Sequence, residues 1–339
     1  MWAPHRSSAP TAQGSGLIRT RIRRACTSLF LVSLLTSCSM RRTIDAALVH
    51  RAERAGLVST HLHDAELDLH YYRSADPPSA RPLLVLHGFG GDGLSNWAGQ
   101  LASLTASRPV LLPDLLWFGQ STSTAPPSLE VQVEAMMALL DHESIPKVDI
   151  LAISYGGFVA FGMLELNPDR IGRLMLVDTP GPLFSASDIT QLVQRHGVTR
   201  PEELFVTDGP EELQQLFAAV MVKPPSMSRR MWRAIHAQWF SANHPQQRDL
   251  LADLPRQRML LDHLPIDTLD VPLVIWGVDD QIFPLAAGEA LADSLNAHLA
   301  VIHGAAHAPN FEQKRVFNQV VQAWLEAPSP EPGRTEHHP

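Results

Sequence analysis

Cysteine is nearly absent, with two in 339 residues, which excludes a disulfide scaffold and a cysteine-based metal site. No apolar run reaches the roughly 20 residues a helix needs to cross a bilayer. Positive charge is not in excess either. The formal net charge is −8, and because the first 37 residues hold five Arg and no Asp or Glu, the remainder carries 22 basic against 35 acidic groups, or −13. A nucleic-acid binder needs a positive surface to neutralise phosphate, so none is expected. What is present is ordinary: 45% hydrophobic, 18% charged, 27 Pro and 20 Gly describe a globular chain of one large domain or two small ones.

The charge asymmetry has a reading of its own. Arg19, Arg21, Arg23 and Arg24 precede the apolar run from Ala25 to Leu35, which closes on Leu35-Thr36-Ser37-Cys38. A charged start, a short apolar core and small residues before a cut are the parts of a secretory signal. The last four residues resemble a bacterial lipobox, which implies diacylation of Cys38 and removal of residues 1–37. Cys26 would leave with the signal. By resemblance to Gram-negative lipoproteins, Ser39 implies the outer membrane of the cell envelope.

From Gly56 onward, short apolar runs alternate with amphipathic stretches. Leu57 to His63 and Leu67 to Arg73 read as a hairpin. The runs Pro82 to His87, Pro109 to Leu112, Val148 to Ile153, Ile171 to Val177, Val271 to Trp276 and Leu299 to His303 have the composition of strands buried on both faces. Helical periodicity occupies Leu94 to Thr105, Ser128 to His142, Tyr155 to Leu166, Leu285 to Leu295 and Asn310 to Glu326. The expected fold class is therefore α/β, a mostly parallel sheet with helices on both faces. Between Val177 and Val271 lies far more chain than one crossover needs. Residues 181–263 are expected to form an inserted helical cap, broken at Asp208-Gly209-Pro210 and Lys223-Pro224-Pro225. The resulting division is a signal over 1–37, a linker over 38–55, a core over 56–180 and 264–326, the cap, and a disordered tail over 327–339.

Leu151-Ala152-Ile153-Ser154-Tyr155-Gly156-Gly157 falls where a buried strand meets a helix. A serine on that turn is lifted out of the sheet, and small neighbours let strand and helix approach; here the usual first glycine is Ala152. A serine hydroxyl needs a base, and the base needs an acid to fix its tautomer. Asp280 follows one buried strand in Gly277-Val278-Asp279-Asp280, and His307 follows the next in Gly304-Ala305-Ala306-His307. Asp279 and Asp178 are rivals for the acid, but the Gly-x-x-Asp spacing and Pro284 favour Asp280. After the third strand, His87-Gly88-Phe89-Gly90-Gly91 lets a backbone N–H face a developing oxyanion. The donors would be the N–H groups of Phe89 and Tyr155.

With these pieces, and with Pro113-Asp114-Leu115-Leu116-Trp117-Phe118-Gly119, the chain resembles the α/β-hydrolase superfamily from about Leu57 to Leu325, in the branch of capped esterases and monoacylglycerol-type lipases. The resemblance implies a serine ester hydrolase with Ser154 as nucleophile, His307 as base and Asp280 as orienting acid, without cofactor or metal. Its expected partner molecules are short to medium acyl esters or monoglyceride-like lipids, together with a membrane reached through the lipid anchor. A thioesterase, a carbon–carbon hydrolase and an idle ligand-binding lipoprotein stay open as alternatives. The family more often has Pro-Gly where this chain has Leu116-Trp117, and Trp117 is expected to narrow the pocket. Cap stripes such as Leu213, Leu216, Phe217 and Val220, or Trp232, Ile235, His236 and Trp239, are expected to serve mainly in packing. His87 is expected to brace its loop, and His303 to be packed or exposed. Strand alternation should scatter His61, His63, Asp64, Glu66, Asp68 and His70 over both faces of the hairpin, so no metal site is expected there.

Overall fold

The computed structural model describes residues 43–75, 80–257 and 269–327. Its strands are β1 (Leu57–His63), β2 (Leu67–Ser74), β3 (Leu83–Leu86), β4 (Val110–Pro113), β5 (Thr122–Ser123), β6 (Val148–Ile153), β7 (Ile171–Val177), β8 (Leu273–Gly277) and β9 (His298–Ile302). They join in one sheet of order β1-β2-β4-β3-β6-β7-β8-β9, with the short β5 paired to β2. β2 is antiparallel to each of its neighbours, and the pairings from β4 across to β9 are parallel. The expected α/β class holds.

Period-two alternation sends β6 into two cores at once. Val148, Ile150 and Ala152 pack on one face, and Leu151 and Ile153 on the other. The first face is covered by α4 (Leu129–His142), α5 (Tyr155–Leu166) and α11 (Leu285–Leu295). The opposite face is covered by α1 (residues 43–54), α2 (Gly93–Trp97), α3 (Leu101–Ser107) and α13 (Lys314–Glu326). Starts are marked by side chains that satisfy otherwise orphaned N–H groups: Ser128 accepts from Val131 N, and Asp92 from Ser95 N.

Between β7 and β8 lie α6 (Ala186–His196), α7 (Pro201–Phe205), α8 (Pro210–Val220), α9 (Arg229–Phe240) and α10 (His244–Gln257). Pro201 and Pro210 each stand in a first turn, where a missing N–H costs nothing. The remaining short helix is α12 (Pro309–Glu312).

Local pattern and structure part company in four places. Residues 43–54, expected as linker, are helical, with Ala52 fully buried in the second core. The helix expected over Leu94 to Thr105 is two helices, because the buried Gln100 turns aside to donate to Asn310 O at 2.7 Å. The helix expected from Asn310 is interrupted at Gln313. The run from Leu299, expected to be buried on both faces, is an edge strand and half exposed.

Candidate active site

Ser154 stands alone between the end of β6 and the start of α5, at φ 52° and ψ −118°. A side-chain-bearing residue held there stores strain on the order of 1–3 kcal/mol, so the surroundings must impose it. Ser154 N donates to Val177 O at 2.9 Å, and Gly157 N to Ser154 O at 2.9 Å. Gly156 makes the turn possible, since a Cβ there would lie 2.6 Å from His87 O and 2.9 Å from Leu86 O. Ala152, in place of the usual glycine, is fully buried between Leu86 and Leu176, where a methyl fits.

Three side chains from three loops converge. His307 Nε2 lies 2.9 Å from Ser154 Oγ, and His307 Nδ1 lies 2.8 Å from Asp280 Oδ2. With the Nδ1–H donating to the carboxylate, Nε2 is left to accept the serine proton. Asp280 Oδ1 accepts from Ile282 N at 2.7 Å and Phe283 N at 3.1 Å, so the backbone after β8 fixes the orientation of the carboxylate toward His307.

The rivals fall elsewhere. Asp279 is exposed. Asp178 is fully buried at φ 44°, and its Oδ1 accepts from Gly277 N at 2.8 Å. Burial first, and then the neighbouring Asp280, push its carboxyl well above the usual range. Asp178 thus braces the turn that carries Asp280 through its bond to Gly277 N. His87 is also a brace: its Nδ1–H donates to Gly88 O at 2.7 Å and its Nε2 accepts from Leu115 N at 2.9 Å, while burial lowers its basicity. His303 is exposed.

Phe89 and Tyr155 flank the serine. Gly88 packs against it, at 3.2 Å from a Cβ position to Ser154 Cβ, and the Phe89 and Tyr155 rings meet edge to face at 5.6 Å. Tyr155 N–H opens α5 and has no acceptor within the helix. Two cavities reach Ser154. One, of about 440 Å³, is walled by Leu216, Phe217, Val220, Ile235 and Trp239, and includes His307. The other, of about 40 Å³, is walled by Tyr155, Phe158, Leu192, Leu251 and Phe283. Phe89 and Phe205 belong to both walls, with ring centroids 6.3 Å apart. Among the described residues, neither lining contains Lys or Arg.

Several side chains depart from expectation. Trp117 lines neither cavity; it is buried at φ 65° with its carbonyl accepting from Gln247 Nε2 at 2.9 Å. The left-handed backbone at Trp117 is one that glycine adopts without strain. The cap stripes divide: Ile235 and Trp239 face the large cavity, whereas Trp232 packs on Phe217 at 5.0 Å and His236 Nε2 donates to Thr207 O at 2.8 Å. Phe205, on a five-residue helix too short to show a period, was not legible as a wall residue. Nor was Glu312, which accepts from Ala306 N at 2.8 Å and from Lys223 N at 3.0 Å. It ties the His307 loop to the segment after α8. The hairpin residues are not all scattered, because His61, His63 and Asp68 converge on one face. Cys38 lies outside the described residues, and no helix among those described is long and apolar enough to cross a membrane.

The chain is similar to known hydrolases. At the sequence level the chain is 28% identical over 265 residues to 2-hydroxymuconate semialdehyde hydrolase of Pseudomonas sp. (strain CF600), spanning 74% of this chain and 88% of that one. It is 24% identical over 275 residues to Lipase 3 of Moraxella sp. (strain TA144), spanning 80% and 85%. At the level of fold, it superposes on a bacterial membrane phospholipase A with a TM-score of 0.68 and 21% identity, over 91% of this chain and 96% of that one. The family model for the alpha/beta hydrolase fold matches residues 81–314, a stretch that holds the Ser154 turn, both loops converging on it and the helices between β7 and β8, and the chain accordingly belongs to that family.

Proposed function

We propose that this protein is a serine hydrolase of carboxylic esters that works through an acyl-enzyme on Ser154. The observation that carries the proposal is the 2.9 Å and 2.8 Å chain from Ser154 through His307 to Asp280, set at the junction of two apolar cavities. Ser154 Oγ attacks the ester carbonyl as His307 Nε2 takes its proton, and Asp280 stabilises the imidazolium. The oxyanion is held by the N–H groups of Phe89 and Tyr155. His307 returns the proton to the departing alkoxide, then activates water to release the acid.

Because His307 must reach the leaving oxygen, the alcohol belongs in the large cavity that His307 lines, and the acyl chain in the small one. This favours short to medium acyl groups on an apolar alcohol. Monoglycerides fit less well, since glycerol hydroxyls would meet largely apolar walls. Carbon–carbon hydrolysis by the same residues is the second reading, favoured by relatives of 25–28% identity named as semialdehyde, dienoate and dienedioate hydrolases. The Arg-rich leader and Leu35-Thr36-Ser37-Cys38 support a lipid anchor at Cys38 in the cell envelope.

Labelling by a fluorophosphonate, which reacts only with an activated serine, tests the assignment directly. Wild type should label and Ser154→Ala should not, with kcat for a p-nitrophenyl ester falling by about 10³-fold or more. Equal labelling of both, or a variant retaining a tenth of the rate, refutes it.

A further inference from the structure

The β1–β2 register sets His61 opposite His70 and His63 opposite Asp68. Residues two apart on a strand share a face, and so do directly paired residues, which brings all four to one side of the hairpin. His70 is engaged elsewhere, through Asp114 Oδ2 at 2.8 Å and Ser59 Oγ at 2.9 Å. The other three aim at one point: His61 Nδ1 lies 2.7 Å and His63 Nδ1 3.1 Å from the same Asp68 Oδ1. Their donor atoms all fall within 4.8 Å of one another. In a tetrahedral shell with bonds of about 2.1 Å, neighbouring ligand atoms stand about 3.4 Å apart, so side-chain rotations alone would admit an ion. The rings are already arranged for it, with His61 and His63 stacked at 5.1 Å and 5° and His61 leaning on the anchored His70 at 4.9 Å.

We propose that His61, His63 and Asp68 form a surface site for one divalent transition-metal ion, zinc in the first instance. Two imidazoles and one carboxylate suit such an ion better than Mg²⁺ or Ca²⁺, which take all-oxygen shells. The side chains are 33%, 65% and 40% exposed, so an ion reaches them from solvent and keeps water as its fourth ligand. β1 ends the sheet, four strand spacings or about 19 Å from β6. The ion therefore clamps an edge strand to its neighbour and takes no part in chemistry at Ser154.

Calorimetric titration of the untagged, chelator-stripped full chain with zinc chloride tests this. Wild type should saturate at one ion per chain and gain thermal stability with zinc. His61→Ala/His63→Ala should bind at least about tenfold more weakly and lose the zinc-dependent gain, while its ester hydrolysis is unchanged. Should that variant fold poorly, His63→Gln at the most exposed ligand should show the same weakening. His337 and His338 near the C-terminus are the natural competitors, so His337→Ala/His338→Ala should bind as wild type does. Absence of a one-to-one saturation, unchanged affinity in the hairpin variants, or loss of binding in the C-terminal variant would overturn the proposal.

Discussion

Two neighbouring buried carboxylates, Asp280 and Asp178, differ in their hydrogen bonds. Asp280 receives His307 and two backbone N–H groups; among the described residues, Asp178 receives only Gly277 N–H, and its Oδ2 is buried without a partner. Asp280→Asn removes the charge that holds the imidazole tautomer, and kcat should fall on the order of 10⁴-fold. Asp178→Asn keeps the size of the side chain and an oxygen that can accept from Gly277 N, and should leave most of the rate. The pH dependence separates the two further. Because the folded state of Asp178 holds its proton above the ordinary carboxylate range, the native chain binds more protons than the unfolded one from about pH 4 upward. Stability therefore declines through this group as pH rises toward its native pKa. Asp178→Asn lacks that decline, so in urea titrations its stability relative to wild type should be greater at pH 8 than at pH 5. An opposite trend, or a loss of rate matching that of Asp280→Asn, would move the orienting acid to Asp178.

At the scale of elements, the partition between the cavities depends on one short helix. α7 delivers Phe205 against Phe89, and the α8 and α9 stripes build the wall of the larger space. Phe205→Ala should join the two cavities. In a p-nitrophenyl ester series, wild type should peak at a short to medium acyl chain, since each added methylene contributes about 0.8 kcal/mol only while there is room for it. The variant's maximum should shift to longer chains, with little change in kcat for acetate. A wild-type maximum at sixteen carbons would place the acyl chain in the large cavity instead, and an unchanged profile in the variant would show that Phe205 does not divide them.

At the scale of the whole molecule, five Arg and no acidic residue precede Cys38, and α1 begins within a few residues of that cysteine, packed on the core and joined to α9 by Gln238 Nε2 donating to Asp45 Oδ1 at 2.7 Å. An anchor at Cys38 would hold the folded body close to the bilayer with almost no intervening tether. On expression in a Gram-negative bacterium, wild type should fractionate with membranes under an acylated N-terminal Cys38, and Cys38→Ser should abolish that processing. Recovery of unprocessed wild type in the soluble fraction would refute the anchor.

Strands β3, β4, β6, β7 and β8 were legible because each is a short run buried on both faces, and burial on both faces removes polar residues from the pattern, whereas the two-residue β5 is not buried and left no such signal. Ser154, Asp280 and His307 were legible for a related reason: a small-x-Ser-x-Gly turn, a Gly-x-x-Asp and a His after successive strands are local signals in chain order. Convergence is different in kind. That Asp178 sits buried under Gly277, that Phe205 lines both cavities, and that His61, His63 and Asp68 share a corner of the hairpin all depend on register and on loops meeting across the sheet. No local window contains the partner residue. Trp117 shows the limit from the other side, since its place in a motif suggested a pocket wall, while the backbone turned its indole into the core. Sequence pattern thus determined most of the strands and the three candidate residues after them, because hydrophobic periodicity and turn chemistry are local. Only the tertiary structure decided the strand order in the sheet, the shape of the cavities, the placement of the buried acids and the convergence of His61, His63 and Asp68, because packing brings together residues that the chain keeps far apart.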